Sequence, residues 1–270
     1  MLCFPNAKIN IGLQVTKKRP DGFHNLLSAF YPVGWCDILE ILPADAWHFT
    51  NTGISIPDIG ENNLCLKAYQ LLQNDFDLPP VQIHLHKIIP IGAGLGGGSS
   101  DAAFTLKSLN TIFNLNLTTA QLEQYARQLG SDCAFFVQNQ PRYCYEKGDQ
   151  FEALPLHLKD FYIVIVYPNL HISTKEAYSS IRPKAPTFDL KEMLKQQDFD
   201  KWRSTVENDF EPALFNKYPA LSAIKQKLYD DYGACYVAMT GSGSAIYGIF
   251  DQEVAVRFPQ EYLTWQGKLN

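Results

Sequence analysis

Between Pro90 and Asp101 the chain reads Pro-Ile-Gly-Ala-Gly-Leu-Gly-Gly-Gly-Ser-Ser-Asp. Gly92, Gly94, Gly96, Gly97 and Gly98 leave Pro90, Ile91, Ala93 and Leu95 as the only larger side chains ahead of Ser99. Such a backbone can bring its N–H groups close to a ligand. Ser99, Ser100 and Asp101 favour a helix start, and the run from Ala102 to Leu109 behind them predicts a helix. That helix turns its unpaired N–H groups and positive dipole end toward the glycines. The chemistry implied is anion binding, most naturally of nucleotide phosphates. The plain structural alternative is a loop that merely lets a helix approach a sheet.

Other readings of the loop fail on context. Gly92, Gly94 and Gly97 spell GxGxxG, but a dinucleotide fold needs an acidic strand end about twenty residues further on. Residues 111–117 supply none. The GxxxxGK[ST] pattern fails because Gly-Ser-Ser stands where Gly-Lys-Ser is required. Ser99 or Ser100 as a hydrolytic nucleophile lacks the strand–elbow–helix frame.

A second loop, Thr240-Gly241-Ser242-Gly243-Ser244, falls between two predicted strands. Alone it reads as a hairpin or bulge; with the first loop it reads as a second approach to one polyphosphate. Lys8, within Ala7-Lys8-Ile9-Asn10-Ile11, is by default a strand lysine snorkelling to solvent. Asp132, followed by an apolar run, is either the N-cap of a short turn or a carboxylate held in a dry place. His24 reads as a loop histidine. His84 and His86 share a strand face with no completing ligand and predict no metal site.

The elements that must position these residues follow from periodicity. Strands are predicted over Lys8 to Val15, Leu26 to Val33, Asp37 to Leu42 and Val81 to Ile89, with Pro32 and Pro43 ending the second and third. Further strands are predicted over Phe161 to Tyr167, Cys235 to Met239 and Ala245 to Phe250. Helices are predicted at Leu64 to Leu72 behind Asn62-Asn63, at Asp189 to Lys195 and at Asn216 to Asp231. Another starts at a Thr118–Gln121 capping box and closes at Gly130. Strands and helices without strict alternation predict an α+β fold, divided after Pro155 into residues 1–155 and 156–270.

Composition bounds the function. The 270 residues are 46% hydrophobic and 19% charged, with a net charge of −5. That balance argues against a nucleic-acid partner, and no apolar run approaches a membrane span. Six scattered cysteines without CxxC pairs predict free thiols and a cytoplasmic location. Oligomeric state is not specified.

Taken together, Pro5-Asn6-Ala7-Lys8-Ile9-Asn10, Arg19-Pro20-Asp21-Gly22-Phe23-His24, the glycine loop, Gly130-Ser131-Asp132 and Thr240-Gly241-Ser242-Gly243 resemble, in order, the motifs of GHMP kinases. The resemblance spans essentially the whole chain. It implies a ribosomal-protein-S5-like N-terminal domain, a ferredoxin-like C-terminal domain, a ligand cleft between them, ATP as co-substrate with Mg²⁺, and a small-molecule alcohol as acceptor. It also implies roles: Lys8 and Asp132 as catalytic pair, residues 90–100 with Asn63, Thr240, Gly241 and Ser242 on ATP, and Asn10, Phe23 and His24 on the acceptor. The first two segments are similar to the branch whose acceptor is a cytidine diphosphate ester of methylerythritol. Homoserine, mevalonate and sugar kinases are the alternatives within the family. Phe23 stands where Tyr is usual, Ser131 where Ala is usual, and Cys133-Ala134 where Val-Pro is usual. The stretch 168–178 resembles a segment lining the cytidine side.

Overall fold

The computed structural model describes residues 1–57 and 63–269; Asn62 lies outside them. In chain order the first elements are β1 (Leu2–Cys3), β2 (Asn6–Lys18), β3 (His24–Cys36), β4 (Ile38–Pro43), β5 (His48–Gly53), α1 (Leu64–Phe76) and β6 (Val81–Lys87). Then come α2 (Gly97–Ile112), α3 (Thr119–Leu129), α4 (Phe135–Gln138), β7 (Arg142–Tyr145), β8 (Gln150–Ala153) and β9 (Tyr162–Tyr167). The chain continues through α5 (Thr174–Ser179), α6 (Leu190–Lys195), α7 (Phe199–Thr205), α8 (Glu211–Lys217) and α9 (Pro219–Asp230). It finishes with β10 (Tyr236–Met239), β11 (Ile246–Phe250) and β12 (Leu263–Lys268).

Two compact units result. The first comprises Met1–Ala7, Cys36–Ile91 and Gly96–Gln140; the second comprises Lys8–Trp35, Gly92–Leu95 and Pro141–Asn270. This grouping is spatial, and the division proposed after Pro155 concerns successive domains along the chain. The first unit holds the sheet β1-β4-β6-β5. In it β4 and β6 are antiparallel, β5 and β6 parallel. The second unit holds β2-β3-β7-β8 and β10-β11-β9-β12. Leu13, Val164, Phe210, Leu221, Val237 and Ile246 are among the buried side chains of its core.

Several elements differ from expectation. Pro32 does not end its strand: β3 runs on to Cys36. The β7 ladder covers only Ser28 to Phe30, so on that side Pro32 has no hydrogen bond to break. The helix expected over Asn216 to Asp231 is two helices broken at Tyr218, where Pro219 opens α9 as a first helical residue lacking its N–H. His48–Gly53 forms an unforeseen strand. The capping box at Thr118 and Gln121 is present. Gly130 ends α3 in extended backbone, at φ 173°, so no left-handed glycine is needed there.

The start of α2 is pinned by a buried ionic triad. Lys87, the last residue of β6, donates from Nζ to Asp37 Oδ2 and, at 2.7 Å, to Asp101 Oδ2. Asp37 Oδ1 also accepts the backbone N–H of Ile89 at 2.8 Å. The approach is tight enough that a Cβ on Gly97 would lie 2.9 Å from Ile89 Cγ2 and 3.0 Å from Lys87 Nζ. Removing Lys87 would leave the Asp37 carboxylate buried without its counter-charge, a cost of about 3–5 kcal/mol.

Burial pushes the Asp101 carboxyl up to about 7; the Lys87 ammonium opposes the rise and the Asp37 carboxylate adds to it. An unfolded aspartate titrates near about 3.9. Across roughly pH 4 to 7 the folded chain therefore holds a proton that the unfolded chain has released, and stability falls as pH rises through that window. Asp101→Asn should flatten this dependence. Unfolding midpoints measured from about pH 5 to 8 test it, and parallel slopes for the two proteins would place the proton elsewhere.

Candidate active site

In the first unit, α2 begins without a side-chain cap. Its N-cap is Gly96, in left-handed backbone at φ 70°, and no side chain bonds the first turn. By contrast α1, α3, α5, α6 and α7 are capped by Asn63, Thr118, Ser173, Asp189 and Asp198. The first intrahelical bond of α2 runs from Ser100 N to Gly96 O at 2.9 Å. The N–H groups of Gly97, Gly98 and Ser99 thus end a sixteen-residue helix with no intrahelical acceptor. The Ser100 hydroxyl is buried and finds no hydrogen-bond partner among the described residues. A Cβ on Gly98 would meet only Leu64 Cδ1, at 3.8 Å, so the space beside it is open.

Of the flanking residues, Pro90 is buried and Ile91 exposed. Asn63 is buried, and its side-chain oxygen caps α1 by accepting Cys65 N at 2.8 Å and Leu66 N at 3.3 Å. Its part in the local fold is therefore that of a cap.

Asp132 sits in successive turns, where Cys133 N bonds Gly130 O and Phe135 N bonds Asp132 O, each at 3.2 Å. Asp132 thus opens a short turn through its carbonyl. The N-cap of α4 is Ala134, without a side-chain cap, and Asp132 is half-buried rather than dry. Cys133 beside it is buried, and burial pushes its thiol up to about 12, a hydrogen bond with Ser99 opposing the rise. That contact joins the Asp132 turn to the first turn of α2.

In the second unit, Lys8 does not snorkel. Only 2% exposed, it donates from Nζ to Asn10 Oδ1 at 2.5 Å and to Gly94 O at 3.2 Å, and lies 4.7 Å from the Phe30 ring centroid. Asn10 is buried as well, with Nδ2 donating to Ser28 Oγ at 2.9 Å. Thr240 Oγ1 accepts Asn10 N at 3.1 Å and donates to Gly94 O at 2.9 Å. The two glycine loops thereby meet backbone to backbone. Gly94 has φ 80°, and a Cβ there would stand 2.0 Å from Thr240 O. Ala93 O accepts Ala245 N at 3.1 Å, and Leu95 O accepts Lys8 N at 2.9 Å. Gly92 lies against His171, whose ring a Cβ would strike at 2.7 Å. Gly241 has φ 55°, and Ser242 is half-buried.

The acceptor candidates also lie in the second unit. His24 opens β3 and is not a plain loop residue. Its ring stacks on Tyr178 with centroids 4.8 Å apart and planes 22° apart. Burial, with the charge of Lys18, holds its imidazole below the ordinary histidine value. Phe23 is 60% exposed, an uncommon state for so large an apolar ring. The turn before it is held by Arg19 Nε on Asp21 and by Arg19 N on Phe23 O at 2.8 Å.

Tyr178 and Asn208 are residues that sequence reasoning passed over. Tyr178 lies in the stretch 168–178, where nothing local singles out one ring. Asn208 had a faint signal, a polar residue framed by Val206 and Phe210. Among the described residues no cluster of three or more His, Cys, Asp or Glu could hold a metal ion.

The GHMP kinases N terminal domain family matches residues 63–140, and the GHMP kinases C terminal family matches residues 190–263. The chain is 50% identical over 252 residues to a 4-diphosphocytidyl-2-C-methyl-D-erythritol kinase of Cytophaga hutchinsonii, covering 93% of each chain. It is 44% identical over 275 residues to the like-named protein of Parabacteroides distasonis, covering 100% of both. A crystal structure of 4-(cytidine 5'-diphospho)-2C-methyl-D-erythritol kinase superposes with a TM-score of 0.77 at 31% identity, covering 92% of this chain and 89% of that one. A homoserine kinase from Cytophaga hutchinsonii shares the fold, with a TM-score of 0.68 at 15% identity, covering 98% and 95%. With both family regions matched and half of all residues shared with a relative along nearly its full length, the chain belongs to the GHMP kinases.

Proposed function

We propose that this enzyme transfers the γ-phosphoryl group of ATP to the 2-hydroxyl of 4-diphosphocytidyl-2-C-methyl-D-erythritol. The relatives of that name, at 44% and 50% identity over nearly the whole chain, support this acceptor over homoserine, mevalonate or a sugar. The observation that carries the nucleotide half is the start of α2, built of glycine, uncapped, and flanked by the unpartnered Ser100 hydroxyl. Free N–H groups at the positive end of a helix fit phosphate oxygens. Mg²⁺, when bound with ATP, offsets phosphate charge, and we assign it no side-chain ligand. A small-molecule acceptor accords with cytoplasmic work. No helix among the described residues is long and apolar enough to cross a membrane.

Roles follow from each residue's surroundings. Asp132, half-buried on a turn tied to Ser99, takes the proton of the acceptor hydroxyl. A tertiary alcohol is hindered and weakly acidic, so placing it and receiving its proton carry much of the barrier. Lys8 brings a buried ammonium whose charge opposes the negative charge that develops in transfer. Asn10 fixes the Lys8 ammonium through its side-chain oxygen and offers its amide nitrogen to the polar end of the acceptor. His24, neutral and backed by Tyr178, reads the cytosine edge, and the exposed Phe23 ring supplies a stacking face.

Asp132→Ala should lower kcat by about 10²–10⁴-fold, the usual contribution of a general base, with affinity for a non-hydrolysable ATP analogue retained. Single-turnover kinetics with calorimetry separate the two, and an unchanged kcat would remove Asp132 from the chemistry. Gly98→Ala is sharper for the phosphate site. Space for the Cβ is open and alanine suits a helix, so the unfolding midpoint should hold or rise, whereas KM for ATP should rise about tenfold, or 1.4 kcal/mol. Equal KM values would move the phosphates away from this helix. Because burial holds the His24 imidazole below its ordinary value, KM for the acceptor should stay flat at and above neutral pH and climb only on the acid side of the usual histidine range, as the ring charges. His24→Gln should abolish that climb in steady-state assays across pH.

A further inference from the structure

Within the second unit, β2 is an edge strand of its sheet and β10 is an edge strand of another. Free strand edges carry unpaired N–H and C=O groups that a folded protein covers. Here one short segment, residues 207–211, covers both. Leu13 N donates to Glu207 O at 2.9 Å and Asp209 N donates to Leu13 O at 2.8 Å, making a parallel bridge between Leu13 and Asn208. The Asp209 carboxylate adds Val15 N at 2.7 Å. At the other edge, Glu211 Oε1 accepts Met239 N at 2.7 Å, while Asn208 Nδ2 donates to Met239 O and to Gly241 O, each at 2.8 Å. Asn208 Oδ1 accepts Phe210 N at 3.0 Å, so every polar group of this buried side chain is engaged.

Each of these contacts is one step from a residue of the proposed site. Met239 and Gly241 flank Thr240, whose hydroxyl holds Gly94 O. Leu13 and Val15 continue the strand that carries Lys8 and Asn10. Phe210 and Tyr178 meet edge to face, with centroids 4.9 Å apart and planes at 83°, and Tyr178 in turn stacks on His24. We propose that Asn208-Asp209-Phe210-Glu211 is a positioning element that fixes the Thr240–Gly241 loop through Asn208 and Glu211 and the His24 platform through Phe210. This rests on the nucleotide and acceptor assignments made above. The side chains leave the segment in different directions, so their loss should separate kinetically.

The test uses the full chain and compares Asn208→Ala, Glu211→Ala, Glu211→Gln and Phe210→Leu. Asn208→Ala and Glu211→Ala should raise KM for ATP about tenfold with KM for the acceptor little changed, the mark of lost binding on one side only. Glu211→Gln keeps an oxygen for Met239 N and should restore KM for ATP. Phe210→Leu keeps apolar bulk and should do the reverse, raising KM for the acceptor about fivefold and leaving KM for ATP alone. Calorimetric Kd values for a non-hydrolysable ATP analogue and for cytidine diphosphate repeat the comparison without turnover. If wild type bound both probes yet did not phosphorylate the acceptor, the proposed function would fail while the split in Kd still judged the segment. Variants that lower the unfolding midpoint but leave both affinities unchanged, or shift both alike, would overturn the proposal.

Discussion

The carbonyl oxygen of Gly94 is the constraint on which the second unit's loops and its buried lysine depend. It accepts both Lys8 Nζ and Thr240 Oγ1, and the Gly94 backbone lies so close to Thr240 that no side chain fits between them. One peptide group therefore sets the glycine loop, the later Gly-Ser loop and the buried ammonium relative to one another. Asn10 closes the circuit by bonding Lys8 through its side chain and Thr240 through its backbone. A buried ammonium is tolerated where its protons meet well-placed oxygens, and here two of those oxygens are named.

The first unit solves a different electrostatic problem. An uncapped helix start is attractive to anions and costly to leave without acceptors. Its glycines can stay slender only if something else fixes the helix. The Asp37–Lys87–Asp101 triad does so from beneath, through side chains that point into the core and leave the first-turn N–H groups alone. Two carboxylates around one ammonium leave a buried excess of negative charge, and burial shifts Asp101 toward holding a proton. The proton offsets that excess. Rigidity at the helix start is thus supplied without a capping side chain over the first-turn N–H groups.

Much of this was legible because local physics decides it. The alternation of Lys8 to Val15 and Val81 to Ile89, the capping box at Thr118 and the glycine loop opening a helix all depend on near neighbours in sequence. The misses have long-range causes. Lys8 looked like a snorkelling lysine because Gly94 O reaches it from the glycine loop and the Phe30 ring from β3, both distant in sequence. Pro32 looked like a terminator because only the extent of the β7 ladder reveals that it interrupts nothing there. β5, β7, β8 and β12 are strands of four to six residues, too short for alternation alone to mark them before their partners are known. Tyr178 and Asn208 act through contacts with residues 24, 239 and 241, and no local spacing announces such partners.

Edge protection and site geometry become one problem in the second unit. β2 must hold the buried Lys8 and Asn10 near a sheet margin, and β10 must stop so that the Thr240 loop can turn. Covering either edge with a further strand would restrict the approach of a ligand to that margin. Side chains from residues 208–211 instead bond single groups, the N–H and C=O of Met239 on one strand and the N–H of Val15 on the other. Because Asn208 uses both of its amide hydrogens on backbone carbonyls, it reaches past the strand end to Gly241, where no ladder partner is available. The same residues that keep the edges from pairing with another chain therefore fix the loop conformation. A change that relaxed one edge would be felt in the loop that edge leads into.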